Sequence, residues 1–329
     1  MRFIIAATRC GPRSDMISEE ARRRLDALLA EADESARSRL AANVAAAIET
    51  ARTFRASTGR DAFLALLDAL AGLSPAPSVP HQLRAVDHDY ESLFKLCRSI
   101  QFSWGPWIED PAQRDAGAAG PHSWGLNEVL SITAPGESFR LVEIGCGTGA
   151  FGYDVACRRR EAMVIQADIS LESLVFAALL QSGTRLTLPK RVDFERSEDG
   201  IGWFTIAPRP PARPIAQTLA SLPPDGGADF VAAINAFSLF DDPVDALAEA
   251  ARQLRPGGHL LWIDLLSWRA ETPAPRRIAG PAAMAAALVS AGLEVRRQVG
   301  GIPYLENWGF ERCYDWRSHL VLAQRPANE

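Results

Sequence analysis

Between residues 141 and 152 the chain reads LVEIGCGTGAFG, and two glycine spacings overlap in it. Counted from Gly147, the run Gly147-x-Gly149-x-x-Gly152 has the spacing of a dinucleotide-binding turn. Counted from Glu143, it is an acid followed by glycines at 145, 147 and 149. Residues without a Cβ let the backbone leave a strand sharply and bring helix N–H groups close to a ligand, so either spacing marks a binding turn. The flanking acids carry the distinction. Asp168, about twenty residues past the glycines, suits ribose hydroxyls in either case. Glu143 lies directly before the turn, where a pyrophosphate meets a like charge and a ligand with a cationic amino group and a sulfonium is favoured. The electrostatics therefore favour S-adenosylmethionine over a dinucleotide.

Other chemistry-bearing residues are sparse. Asp264, near the end of an apolar run, and His122, just ahead of the first strand of this unit, are the candidate general bases. Two aromatic segments, QFSWGPWIEDPAQRDAGAAGPHSW (101–124) and GGIPYLENWGFERCYDWRSH (300–319), flank the core. Tyr90, Trp104, Trp107, Tyr304 and Trp308 are the candidates for a substrate pocket, because such rings wall apolar cavities and attract cations. The blander alternative is that the rings of the earlier segment fasten helices to the next domain. The 5 cysteines are scattered, with no paired spacing that would hold zinc, so free thiols and no metal are expected. A net charge of -5 argues against nucleic acid as partner. The opening apolar run is too short for a signal segment, and no stretch has the length of a membrane span, so a cytoplasmic protein is expected.

The elements that must position these residues follow from periodicity. From Met16 to Leu73, apolar residues recur at helical spacing (Leu25, Leu28, Leu29; Phe63, Leu64, Leu67, Leu70), which gives two or three amphipathic helices. A break is expected at Ser57-Thr58-Gly59, with Asp61 as the following cap, and SPAPSVP (74–80) reads as a linker. HDYESLFKLCRSI gives another helix. From Phe139 the order is strand, glycine turn, helix, strand, the unit of a doubly wound parallel sheet whose ligand lies beyond the carboxyl ends of the strands. RVDFE and GWFTIA flank SEDG and read as a hairpin inserted near 188–214. The expected division is a helical N-terminal domain or cap (1–75), a helix and aromatic connecting segment (76–125), and a binding domain (126–329).

VEIGCGTG (142–149) resembles motif I of the class I S-adenosylmethionine-dependent methyltransferases, and VIQADIS (164–170), ADFVAAINAFSLFDDP (228–243) and ARQLRPGGHLLWIDLL (251–266) resemble later segments of that family in order. The resemblance implies an α/β, Rossmann-like, doubly wound and mostly parallel sheet with an antiparallel last strand. It assigns Glu143 and the turn Gly145, Cys146, Gly147 and Gly149 to the amino-acid part of the cofactor. It gives Asp168 the ribose, Ile169 the adenine, and Asn235 with Ala236 the surroundings of the methyl. One position departs from the pattern: Gln217 and Thr218 stand where the family commonly has an acid for the adenine amino group. INAFS also lacks the Asn-Pro-Pro-aromatic run of adenine-N6 transferases. The expected activity is methylation of a small molecule, a specialised metabolite or modified amino acid. The alternatives are a peptide or protein acceptor recognised by the N-terminal helices, and a protein that holds the cofactor without transferring methyl. The helical N-terminus also offers a surface for a homodimer.

Overall fold

The computed structural model describes residues 17–73, 89–111, 120–190, 202–208, 215–219, 226–240, 242–265, 278, 280–307 and 313–327. The helical spacing of the N-terminal region becomes α1 (Glu19–Glu31), α2 (Glu34–Thr53) and α3 (Thr58–Leu73). Short polar side chains satisfy their first amides: Ser18 accepts from Ala21 N and Asp33 from Ala36 N. In α3 that part belongs to Ser57, whose Oγ accepts from Arg60 N at 3.2 Å. Asp61 lies inside the first turn instead and pairs with Arg60, which corrects the cap expected from sequence.

After α4 (Asp89–Ser103), a 3₁₀ turn (Gly105–Trp107) and α5 (Pro121–Ile132), the chain enters alternating strands and helices. These are β1 (Arg140–Ile144), α6 (Ala150–Arg158), β2 (Met163–Asp168) and α7 (Leu171–Gln181), then β3 (Leu186–Lys190), β4 (Gly202–Ile206), β5 (Ala216–Leu219) and β6 (Ala228–Ile234). A second 3₁₀ turn (Phe237–Leu239), α8 (Pro243–Gln253), β7 (Leu254–Asp264), α9 (Pro281–Ser290), β8 (Glu294–Asn307) and β9 (Cys313–Gln324) follow. The main sheet has 7 strands in the order β5-β2-β1-β6-β7-β9-β8. β5, β2, β1, β6 and β7 are parallel, and β9 and β8 run antiparallel at the edge, so the Rossmann-like class and its antiparallel end are both present.

Strand alternation decides which residues face which layer. Leu141, Val164, Phe230, Ala232, Ile234, Leu261 and Ile263 pack into the apolar cluster shared with α1 to α7, while Val142, Ile144, Val231, Ala233, Leu260 and Trp262 pack against α8 and α9. The same alternation turns Glu143 and Gln166 toward the N-terminal side. α7 explains why that side is three layers deep: Leu174 to Leu180 are each no more than 1% exposed. A helix apolar all round must be covered on both faces, and α7 lies between the strands β2 and β5 and the outer helices α1 and α2.

The inserted hairpin also joins this layer. Its first strand is LTLPK in β3, with Leu186 opposite Ile206, whereas RVDFE lies outside the described residues. Trp203 of β4 packs against Phe54 and Phe63, with ring centroids 6.3 and 6.0 Å away. The hairpin therefore sits under α3 and α4.

Candidate cofactor site

The glycine turn leaves the carboxyl end of β1 with Gly145, Gly147 and Gly149 all at positive φ. Gly149 caps α6, and a Cβ there would lie 2.3 Å from Gln181 Nε2 and 2.6 Å from Gln166 Oε1. Gly152 is not incidental to the spacing either: a Cβ would lie 2.6 Å from Glu143 Oε2, so its absence lets the carboxylate reach the helix backbone. Glu143 Oε2 accepts from Gly152 N at 3.0 Å and from Gln166 Nε2 at 2.8 Å.

Two acids converge here. Burial pushes the Glu143 carboxyl up to about 8, against the opposing effect of those hydrogen bonds and helped by the nearby charges of Asp168 and Asp154. Asp168, at the end of β2, is also raised by burial, although its carboxylate accepts from Gly147 N at 2.7 Å and Ser170 N at 2.8 Å. Burial and the same two acids keep Cys146 a neutral thiol, so it offers no thiolate nucleophile. Next to Asp168, Ile169 is 69% exposed, which does not fit ordinary core packing and does fit an apolar shelf for a flat ring. Across the turn, Ala236 Cβ approaches to 2.5 Å of where a Gly145 Cβ would be. Beside it, Asn235 holds φ at 52° and buries an Oδ1 that has no hydrogen-bond partner among the described residues. Buried acids, an exposed apolar side chain and an orphaned amide oxygen around one glycine turn fit a ligand with a cationic amino group and a nucleoside.

The other site residues expected from sequence fall differently. Asp264 is 0% exposed at the end of β7, and its carboxylate accepts from Ser238 N at 3.1 Å, so it braces the loop after β6 and does not present a base to an acceptor. His122 lies on the first turn of α5, 6.3 Å from the ring of Phe151, and burial holds its imidazole down to about 4. A base that weak is poorly matched to neutral pH. Trp104 is 1% exposed, and its indole donates to Thr148 Oγ1 at 3.0 Å; it clasps the glycine turn and cannot wall an open pocket. Trp107 is 39% exposed. The side chains of Tyr90 and Tyr304, and all of Trp308, lie outside the described residues.

The sequence reading missed the attachments made by the N-terminal helices. Glu31, the last residue of α1, accepts from Thr218 Oγ1 at 2.7 Å and from Leu219 N at 3.1 Å. That places a carboxylate at the end of β5, directly on the residue where sequence comparison expects an acid, and Leu219 is the register partner of Asp168. Asn43 of α2 donates to Glu172 at 2.9 Å beside the β2–α7 turn, and Ser103 of α4 reaches Thr148 at 3.2 Å. No local signal marks these residues, since each reads as the polar side or end of an ordinary helix.

Residues 142–262 match the family model described as "Methyltransferase domain". No curated protein sequence matches the chain. Among solved structures, the putative methyltransferase in complex with the Haloferax volcanii Trm112 activator is 18% identical, with 68% of this chain and 97% of that one covered and a TM-score of 0.43. An S-adenosylmethionine-dependent methyltransferase from Aquifex aeolicus is 18% identical over 70% and 97% of the two chains, TM-score 0.41. The [4+2]-cyclase SpnF is 17% identical over 72% and 95%, TM-score 0.46. Residues 142–262 thus match a methyltransferase domain, and they lie within a sheet of Rossmann-like strand order.

Proposed function

We propose that the protein transfers a methyl group from S-adenosylmethionine to a small-molecule acceptor. The observation that carries the cofactor half is the convergence of Glu143, Asp168, Ile169 and the unpartnered Oδ1 of Asn235 around one glycine turn. Glu143 and the turn from Gly145 to Gly149, Cys146 included, hold the amino-acid part. Asp168 takes the ribose and Ile169 the adenine face, and Glu31, seated on Thr218, supplies the acid at the adenine edge. Asn235 and Ala236 border the methyl.

The acceptor half is supported by what the N-terminal helices already do. α1 and α2 pack on α7, α3 and α4 pack on β3, and α1 reaches β5, so these faces are spent on the protein's own core and leave less for docking a partner. The net charge of -5 favours neither nucleic acid nor an anionic surface as partner. Bound in this site, S-adenosylmethionine supplies an electrophilic methyl on a positively charged sulfur. The chain's own residues hold that carbon in line with the acceptor and exclude water. Positioning of this kind supplies up to about 7–11 kcal/mol without a base, consistent with the buried commitments of Asp264 and the weak basicity of His122.

The test is to incubate the purified protein with methyl-labelled S-adenosylmethionine and an extract of its own cells, then follow the label by mass spectrometry. Label in a low-molecular-mass product supports the reading. Label in a protein band assigns the acceptor to the peptide or protein class. Binding without any labelled product leaves a cofactor-holding protein that does not transfer methyl.

A further inference from the structure

Gln166 and Gln181 are both 0% exposed, in the layer between the sheet and α1. A buried primary amide needs partners at both ends, and these two find them in series. Gln166 Nε2 donates to Glu143 Oε2 at 2.8 Å and to Gly149 O at 2.9 Å. Gln166 Oε1 accepts from Gln181 Nε2 at 2.7 Å, and the same Nε2 donates to Gly149 O at 3.2 Å. Gln181 Oε1 in turn accepts from Arg24 Nη1 at 3.3 Å. Arg24, on α1, has a side chain only 12% exposed and is held by Glu20 through its Nε at 2.9 Å.

The direction of this chain is fixed by its Arg24 end. A guanidinium can only donate, so Gln181 must turn its Oε1 to Arg24 and its Nε2 to Gln166, whose Oε1 then accepts and whose Nε2 faces Glu143. We propose that Arg24, Gln181 and Gln166 form a polarised relay through which α1 orients Glu143 and the Gly149 carbonyl, making Arg24 and Gln181 positioning residues for the cofactor. The inference rests on the cofactor reading of the Glu143 site for its functional meaning. Every amide in the series presents its positive end toward Glu143, and hydrogen bonds in series strengthen one another in a buried setting. The relay thus favours the charged carboxylate that a cationic amino group needs. Among the described residues, the other charged groups bearing on Glu143 are Asp168 at the end of β2 and Asp154 on α6, which oppose its ionisation, with the Cys146 thiol of the glycine turn also interacting with it and Glu20 beside Arg24 at the far end on α1. The neighbouring strand β6 contributes only Ala232.

The test follows the ¹³C carboxyl resonance of Glu143, assigned by its loss in Glu143→Gln, through a pH titration of the ligand-free protein. Binding of S-adenosylmethionine is measured by calorimetry on the same samples. Gln181→Met should move the Glu143 midpoint upward by about one pH unit and weaken binding at neutral pH by roughly ten-fold. Arg24→Met, at the edge of the layer and less exposed to a folding failure, should move both in the same direction. Arg24→Lys, which keeps a donor, should restore much of each effect. A purely packing role would leave the titration midpoint where it is. Midpoints unchanged in both Gln181→Met and Arg24→Met overturn the relay. If the unaltered protein fails to bind S-adenosylmethionine, the cofactor reading falls, and the ligand-free titration still decides the relay.

Discussion

The indole Nε1 of Trp104 donates to the hydroxyl of Thr148 at 3.0 Å, tying the helical layer to the middle of the glycine turn. Its ring packs on Tyr153 of α6, with centroids 5.3 Å apart, so the clasp holds both the turn and the helix it starts. Ser103 adds a second hydroxyl contact to Thr148. A region outside the matched methyltransferase segment therefore shapes the turn that defines it.

Thr148→Val keeps the shape of the side chain and removes both contacts, leaving a buried indole N–H without its acceptor. The expected cost is about 1–3 kcal/mol of stability, read by urea unfolding, with S-adenosylmethionine affinity reduced several-fold. Trp104→Phe should show the same loss of affinity. An unchanged affinity in both variants would mean the turn holds its shape without the clasp.

Glu31 offers a sharper test, because its proposed role can be returned to its neighbour. Glu31→Ala should weaken S-adenosylmethionine binding several-fold, measured by calorimetry. Adding Thr218→Asp in that background puts an acid on β5 at nearly the same place and should recover much of the loss. Failure of the double variant to recover, with both proteins folded by circular dichroism, would reduce Glu31 to a brace on the end of β5.

What the sequence made legible was local. Glu143, the glycines and Asp168 declare themselves within one strand–turn–helix–strand unit, because the chemistry needs them at fixed short spacings. The parallel order and antiparallel end likewise follow from four short segments in order. The attachments were not legible, because they join residues far apart in the chain: Gln181 reads as the polar end of an apolar helix, and Glu31 as a solvated helix terminus. Asp264 shows a related failure, whereas for Trp104 the structure decides between the two readings its residue type left open. Residue type suggested a base at 264 and either a pocket wall or a fastening ring at 104, and burial with a partner on another element makes both residues braces.

The pH dependence of stability should carry the signature of Glu143. Its folded carboxyl is raised from an ordinary 4.5 to about 8 by burial, so folding favours the protonated form. That stabilisation is complete below the ordinary value and is lost as pH climbs through the folded one. Glu143→Gln mimics the protonated group at every pH. Calorimetric melting should therefore show the variant gaining on the unaltered protein between pH 4.5 and about 8, then holding a constant lead. Melting curves that stay parallel across this range would mean Glu143 is ionised throughout.

Asn235 separates backbone from side chain. Its φ of 52° is one that asparagine tolerates, glycine adopts freely and alanine resists by roughly 1–2 kcal/mol. Asn235→Ala should therefore lose about that much stability in urea unfolding, whereas Asn235→Gly should lose little. Both remove the buried Oδ1 that has no partner among the described residues. If that oxygen faces the ligand, the two variants should lose S-adenosylmethionine affinity or methyl transfer to the same extent, despite their different stabilities. Loss confined to Asn235→Ala would instead make the residue a backbone device, chosen to turn the chain after β6 toward Ala236 and the glycine turn.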